Sequence, residues 1–163
     1  MEPITLFDFN KDCDLSNWYV MDDVVMGGRS DGNFQINEDG YGMYYGKVSL
    51  ENNGGFSSIR YRLNNQNISA YTTCKIRLKG DGKKYQFRTK SEAYDRHSYI
   101  YQFETSGEWE TISIPLSEMY PSWRGRKLDM PNYPVEQLEE IAFLIGNKKA
   151  ESFELLFDWI TLE

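Results

Sequence analysis

Residues 22–32, DDVVMGGRSDG, combine carboxylates, a double glycine, an arginine and a serine in one short stretch. Glycine adopts backbone conformations that are closed to other residues, and aspartate and serine side chains bond to nearby backbone groups in turns. The stretch is therefore either a turn that holds two strands in register or a binding loop. Because binding residues concentrate in loops on rigid scaffolds, both interpretations stay open at this point.

Two further loops carry similar side chains. A second double glycine lies at Gly54-Gly55, and SWRGRKLDMP at residues 122–131 places two arginines around a glycine. We expect Asp22–Gly32 to fold over one end of the fold and to meet both loops there. Since arginine binds carboxylates through paired N–H donors, Arg124 or Arg126 either binds an acidic ligand or pairs with an aspartate of residues 22–32. We favour the ion pair, with backbone N–H groups as the alternative donors. The residues that we predict to bind a ligand or partner are Asp22, Asp23, Arg29, Ser30, Arg88, Trp123, Arg124 and Arg126.

The sequence carries no complete catalytic motif. The patterns GxSxG, HExxH and GxxxxGK[ST] are all missing, and Cys13 and Cys74 have no zinc spacing. The one histidine, His97, has no nucleophile or metal motif near it in sequence. Paired carboxylates can support glycoside hydrolysis, but a sequence does not show their separation. We therefore predict that the protein is not an enzyme and that it needs no cofactor. We assign no metal site, and a structural calcium held by Asp8, Asp14 and Asp158 stays an open alternative.

The charge distribution is uneven. The net charge of -7 disfavours nucleic acid as a partner, because such binding depends on lysine and arginine neutralising phosphates. Residues 75–96 nevertheless hold eight basic and only three acidic side chains. Such a run is usually a solvated face, and the alternative is a basic patch for an acidic ligand or partner. The basic residues are Lys75, Arg77, Lys79, Lys83, Lys84, Arg88, Lys90 and Arg96.

Short alternating runs, separated by Gly, Asn and Asp clusters, predict the elements that position these side chains. They indicate an all-β sandwich in a single domain, residues 1–163. Within it, CKIRLKGDGKKYQFR predicts a β-hairpin with its basic residues on one face of the sheet. PVEQLEEI and LSEMY predict short helices. The predicted strands are Ile4–Phe9, Trp18–Met21, Asn33–Asn37, Tyr41–Leu50, Phe56–Arg62, Thr73–Lys79, Lys84–Thr89, Ser98–Thr105, Glu110–Pro115, Ile141–Gly146 and Phe153–Leu162.

One predicted strand carries an aromatic stripe. Tyr99, Tyr101 and Phe103 alternate, so they either belong to the core or form a platform on which sugar rings stack. Polar residues on the opposite faces, such as Gln86 and Gln102, are placed to line a groove. No run approaches the ~20 apolar residues of a membrane span, and MEPITLFDF is unlike a secretion signal. We therefore expect a cytoplasmic protein without a membrane span.

Four segments in order, DDVVMGGRS, GKVSLENNGGFSSIR, RLKGDGKKYQFR and WETISIPLSEMYPSWRG, resemble the complex I intermediate-associated protein 30 family. With the closing FELLFDWITLE, the resemblance covers nearly the whole chain. It implies a galactose-binding-like jelly-roll β-sandwich, related in shape to carbohydrate-binding modules. For the mitochondrial members it also implies a chaperone-like role in assembling respiratory complex I.

Two function hypotheses follow from the motifs and the resemblance. The first is a protein-interaction module that assists assembly of a larger complex with an unidentified protein partner. The second is a module that binds a carbohydrate or another small ligand. Because function belongs to sites and not to folds, the geometry of the site must separate them.

Overall fold

The chain folds into two antiparallel β-sheets that pack face to face. The computed structural model describes residues 2–23 and 27–163. Short 3-10 helices at Glu51–Asn53 and Leu116–Glu118 interrupt the strands. No helix in these ranges is long and apolar enough to cross a membrane. In chain order the strands are β1 Ile4–Asp8, β2 Trp18–Asp22, β3 Asp31–Ile36, β4 Gly42–Val48, β5 Ser57–Asn67, β6 Thr73–Lys79, β7 Lys84–Lys90, β8 Ser98–Glu104, β9 Trp109–Pro115, β10 Tyr120–Trp123, β11 Arg126–Lys127, β12 Gln137–Ile145 and β13 Glu151–Leu162.

The order of the strands determines which loops become neighbours. The seven-stranded sheet runs β11-β10-β8-β7-β12-β5-β2. The six-stranded sheet runs β3-β4-β13-β6-β9, and β1 also pairs with β13. Adjacent strands pair antiparallel throughout both sheets. The predicted all-β sandwich is therefore confirmed.

The core lies between the sheets and is rich in aromatic rings. Successive side chains of a strand point to opposite faces, so alternate residues of each strand enter this layer. Tyr44, Phe87, Phe143 and Phe157 are fully buried, and the rings of Phe143 and Phe157 meet at 4.6 Å between centroids. The free thiol of Cys74 is also buried in the core.

The predicted hairpin CKIRLKGDGKKYQFR is wrong. β6 belongs to the six-stranded sheet and β7 to the seven-stranded sheet, so the GDG turn carries the chain from one sheet to the other. Gly82 takes a φ of +83° there, and Asp81 accepts a hydrogen bond from the Tyr85 hydroxyl at 3.0 Å. Alternation and turn chemistry are the same for a hairpin and a crossover, so the sequence did not separate them. The basic residues of β6 and β7 consequently lie on opposite outer faces.

The helix predicted for PVEQLEEI is also wrong. The segment enters β12 at Gln137, after Val135 with a φ of +56° that no right-handed helix contains. Pairing with β5 and β7 on both sides outweighs the helix propensity of the glutamates. LSEMY contains only the 3-10 turn at Leu116–Glu118, and the unpredicted strands β10 and β11 follow it.

Candidate functional site

The loop with the first double glycine is organised around one buried carboxylate. Asp23 is 1% exposed and accepts hydrogen bonds from four donors: the backbone N–H and the hydroxyl of Ser30, and the backbone N–H groups of Gly55 and Phe56. The two shortest bonds, from the Ser30 hydroxyl and the Gly55 N–H to Oδ2, are both 2.6 Å. This carboxylate therefore joins the two double-glycine loops. Val24, Val25 and Met26 of the predicted loop lie outside the described residues.

Two glycines make room for the Asp23 carboxylate. A Cβ atom on Gly28 would collide with the Asp23 carboxyl carbon, and one on Gly54 would lie 2.5 Å from Oδ2. Real Cβ atoms do not approach so closely, so any side chain at either position displaces Asp23. Gly27 serves a different purpose, because it takes a φ of +88° in open space. Each double glycine thus includes one member that closes around Asp23.

The hydrogen bonds also set the ionisation of Asp23. Burial raises the pKa of a carboxyl group, but here the bonds from Ser30, Gly55 and Phe56 together outweigh it and hold the pKa of Asp23 below its usual value. The neighbouring Asp22 is occupied as well. It accepts hydrogen bonds from the backbone N–H of Gly32 at 2.8 Å and from the Ser57 hydroxyl. Asp22, Asp23 and Ser30 therefore make structural contacts, and a binding role for them stays a prediction.

The outer face of the seven-stranded sheet carries a groove that crosses its strands. One part has a volume of about 610 Å³ and lies over β10, β8, β7 and β12. A second part, of about 420 Å³, lies between Asp23, Gly54-Gly55 and Trp123–Gly125. Both parts are lined by Gln86, Arg88, Gly125, Leu144 and Gly146, so they form one continuous depression. We call it the Arg88 groove.

The three loops that we expected to meet do line this groove together. Asp23, Gly54-Gly55 and Trp123–Arg124 all contribute to its second part, with Arg88 between them. The Arg124 guanidinium lies 5.1 Å from the centroid of the Trp123 ring, within the range of a cation–π contact. Of the eight predicted binding residues, the structure thus brings Asp23, Arg88, Trp123 and Arg124 to one cavity.

The predicted pairing of these arginines with the aspartates is wrong. Among the described residues, no carboxylate lies within 4.0 Å of Arg124 or Arg126. Backbone N–H and serine hydroxyl groups bind Asp22 and Asp23 instead. Arg126 is exposed on β11 outside the groove. Arg29 is also exposed and lies 3.9 Å from Glu51. A binding role for Arg29 and Arg126 stays a prediction that their positions do not support.

Arg88 is the most unusual charge of the groove. Its side chain is half-buried and its Nε donates to Gln86 Oε1 at 3.0 Å, yet no carboxylate in the described ranges lies within 4.0 Å of it. Burial, and next the charge of Arg60, lower the pKa of Arg88 to about 10. The guanidinium is still protonated at neutral pH, so the groove contains a partly desolvated and unneutralised positive charge.

Arg60 was missing from the predicted residues, whereas Lys90 and Arg96 were predicted only as members of the basic run at residues 75–96. Arg60 lies across Ala142 from Arg88 in the strand register, and it approaches Glu140 at 3.7 Å. Lys90 and Arg96 line the same end as Arg88. The alternation of Arg60 and Arg62 in SIRYRL was the available signal, since it places both on the outer face of a strand.

The aromatic stripe belongs to the core. Tyr99 and Phe103 are 5% and 7% exposed, whereas Gln86 and Gln102 on the opposite face line the groove as expected. His97 packs edge-on against the Tyr99 ring. Within the described ranges, no three His, Cys, Asp or Glu side chains cluster as metal ligands would.

A family model for complex I intermediate-associated protein 30 matches residues 7–157. The mitochondrial protein of that name from Drosophila melanogaster is 24% identical over 187 residues, which cover 99% of this chain and 63% of the relative. Its Mus musculus counterpart is 25% identical over 178 residues, covering 95% of this chain and 54% of the relative. The chain therefore spans less than two thirds of these curated relatives. Their names do not confirm the predicted cytoplasmic location.

Solved structures of similar shape include carbohydrate-binding modules. The family 11 module of a cellulosomal cellulase of Clostridium thermocellum gives a TM-score of 0.73 at 18% identity, over 99% of this chain and 94% of that chain. A family 11 module in complex with a β-1,3-1,4-mixed-linked tetrasaccharide gives 0.70 at 19% identity, over 98% of this chain and 94% of that chain. At these identities the similarity shows the fold alone, and it confirms the predicted jelly-roll sandwich.

Proposed function

Because the chain belongs to the complex I intermediate-associated protein 30 family, we propose that it is a non-catalytic module that binds another protein and assists assembly of a larger complex. The observation that carries this proposal is the Arg88 groove, in which Ile100 and Leu144 lie beside a guanidinium that no carboxylate of the described residues neutralises. Arginine and aromatic side chains, such as Arg88, Tyr120 and Trp123 of the groove, are enriched in protein interfaces. The family name supports respiratory complex I, or one of its assembly intermediates, as the larger complex.

To test this proposal, the immobilised chain is incubated with native extract. Retained proteins are then cross-linked to it and identified by mass spectrometry. We expect one protein to be retained reproducibly and its cross-links to map to the outer face of the seven-stranded sheet. Trp123→Ala should weaken retention, because truncating a central aromatic side chain removes much of the binding energy of an interface. Lys79→Gln, on the outer face of the other sheet, is the matched surface control. Cross-links that map to the six-stranded sheet would contradict the proposed surface.

Carbohydrate binding is the second candidate. Gln86, Gln102 and Asn147 line the groove beside Tyr120, and amide and phenol groups both donate and accept hydrogen bonds as sugar hydroxyls require. Calorimetry with a β-1,3-1,4-mixed-linked tetrasaccharide and a glycan array tests it. Binding that is lost in Gln102→Ala, without retention of any protein, would replace the first proposal with this one.

A further inference from the structure

We propose that the Arg88 groove recognises an acidic segment of the protein partner, bound in extended conformation across the strands with a carboxylate on Arg88. This inference rests on the proposed function and adds the chemistry of the partner. Its ligand is a peptide in which glutamate or aspartate side chains alternate with apolar ones.

The need for an anion comes from Arg88. A charge that leaves water is costly unless it is paired. Among the described residues, the one side-chain hydrogen bond of this half-buried guanidinium goes to the neutral Gln86 amide oxygen at 3.0 Å. Arginine presents a planar set of donors that fits a carboxylate with two parallel hydrogen bonds. A carboxylate in the groove therefore supplies what the described part of the chain does not.

The nearest acids of the chain itself are already engaged. Asp23 lines the same cavity as Arg88, but its oxygens accept four hydrogen bonds from Ser30, Gly55 and Phe56. Glu140 is 3% exposed and is held by Arg60, Arg62 and the Tyr19 hydroxyl at 3.7, 3.8 and 2.9 Å. Neither side chain turns to Arg88 without breaking these contacts, so a carboxylate of the partner is the group that we propose to neutralise it.

The spacing of the cations favours a peptide over a single phosphate or sulfate. Arg60 and Arg88 flank Ala142 in register, so their backbones lie about 10 Å apart, two strand spacings. Lys90 lies farther along the same strand as Arg88, and Lys127 lies at the opposite wall over the Tyr120 ring. A small oxyanion needs donors that converge on one point, whereas an extended chain presents side chains at several points along the groove.

The floor of the groove explains the apolar part of the ligand. Ile100 and Leu144 line the groove from the outer face of the seven-stranded sheet. At 2% and 6% exposed, they leave only a narrow apolar surface between the polar side chains. An inorganic anion leaves this surface uncovered, whereas an aliphatic side chain of a peptide contacts it.

Isothermal titration with a short blocked peptide that alternates glutamate and valine tests the inference. We expect salt-sensitive binding, and binding about tenfold weaker for the matched glutamine–valine peptide, as one charge-assisted hydrogen bond implies. Arg88→Gln should weaken binding of the acidic peptide by a similar factor, whereas Lys79→Gln removes the same charge from the other face and should leave it unchanged. Equal weakening by the two variants would overturn the proposal, because it indicates non-specific attraction.

Competing anions separate a carboxylate peptide from other sources of negative charge. Inorganic phosphate and oligogalacturonate should compete only weakly, and tighter binding of either would overturn the proposed ligand. Sedimentation of the chain alone tests whether a second copy occupies the groove. A dimer that Arg88→Gln dissociates would also overturn the proposal. If a native partner is retained equally by Arg88→Gln and the unaltered chain, this inference fails while the proposed function stands.

Discussion

Asp23 and Arg88 line the same cavity, but the chain treats their charges in opposite ways. The Asp23 carboxylate receives four hydrogen bonds from its own loops, while the Arg88 guanidinium has one neutral acceptor, the Gln86 amide oxygen. A buried charge with all its partners inside the chain stabilises the fold. A buried charge without them lowers stability and stays available to a ligand. The difference separates the structural part of the groove wall from the part that we propose to bind.

Removal of the Asp23 carboxylate is the most direct test of this difference between Asp23 and Arg88. Asp23→Ala should lower the free energy of unfolding by about 3–5 kcal/mol, because it leaves the donors of Ser30, Gly55 and Phe56 without an acceptor. Urea denaturation measures the loss. The exposed Asp129→Ala is the control and should change stability by no more than about 0.5 kcal/mol. If Asp23→Ala also lowered stability by no more than about 0.5 kcal/mol, Asp23 would have no structural role.

The glycines that enclose Asp23 provide a second test. Gly28→Val should cost about 2–3 kcal/mol because its side chain displaces the carboxylate, a case of overpacking. The positive φ of this double glycine belongs to Gly27 and not to Gly28. Gly27→Ala should therefore cost only about 1–2 kcal/mol, the penalty of a left-handed conformation in open space. Thermal melts of the two variants should preserve this order, and the reverse order would contradict the close packing around Asp23.

The pH dependence of stability sharpens the same point. Because the folded-state pKa of Asp23 lies below its unfolded value of about 3.9, its ionised form contributes stability that is fully present above that value. This contribution is lost as the pH falls through the folded-state pKa. The stability difference between the unaltered chain and Asp23→Asn should therefore narrow as the pH is lowered from neutral to acid. Urea denaturation curves measured across that pH range test this prediction. A stability difference that widens towards acid pH would contradict it.

Removal of the Arg88 charge should change the free energy of unfolding least among these variants, and in the stabilising direction. Arg88→Gln should leave the free energy of unfolding within about 1 kcal/mol, on the stabilising side, because it removes a buried charge without a counter-charge. Arg60→Gln is the informative control, since it takes one partner from buried Glu140 and should cost about 1–2 kcal/mol. If differential scanning calorimetry shows Arg88→Gln to be the more damaging variant, Arg88 is structural and the comparison fails.

Strand positions were predictable because alternation directly reports which side chains face the core. The partners with which each strand pairs were not predictable, because pairing depends on residues that are far apart in the chain. β6 and β7 satisfy every local rule for a hairpin, yet β6 pairs with β9 and β13, and β7 with β8 and β12. The helix prediction for PVEQLEEI was wrong for the same reason, because pairing with β5 and β7 favours a strand there.

The candidate site was predictable in its loops and not in its contacts. Two double glycines and an arginine-rich loop indicated a shared end of the fold, and Asp23, Arg88, Trp123 and Arg124 do line one cavity. The sequence did not show whether arginines or backbone N–H groups satisfy the aspartates, because both donate to carboxylates and only the fold decides which lies closer. Arg60 was missed because its importance comes from lying across Ala142 from Arg88, a relation that only the register of three strands creates.

The position of β13 has a consequence for how the chain is made. β13 pairs with β1, β4 and β6, and Ile4 lies opposite Leu162. On the ribosome, therefore, the strands of this sheet wait with unpaired edges until residues 151–162 have been synthesised. Sheets built from such distant pairings fold slowly, on the order of milliseconds to seconds, and exposed edges invite aggregation meanwhile. We expect the nascent chain to depend on chaperones until synthesis has passed Leu162.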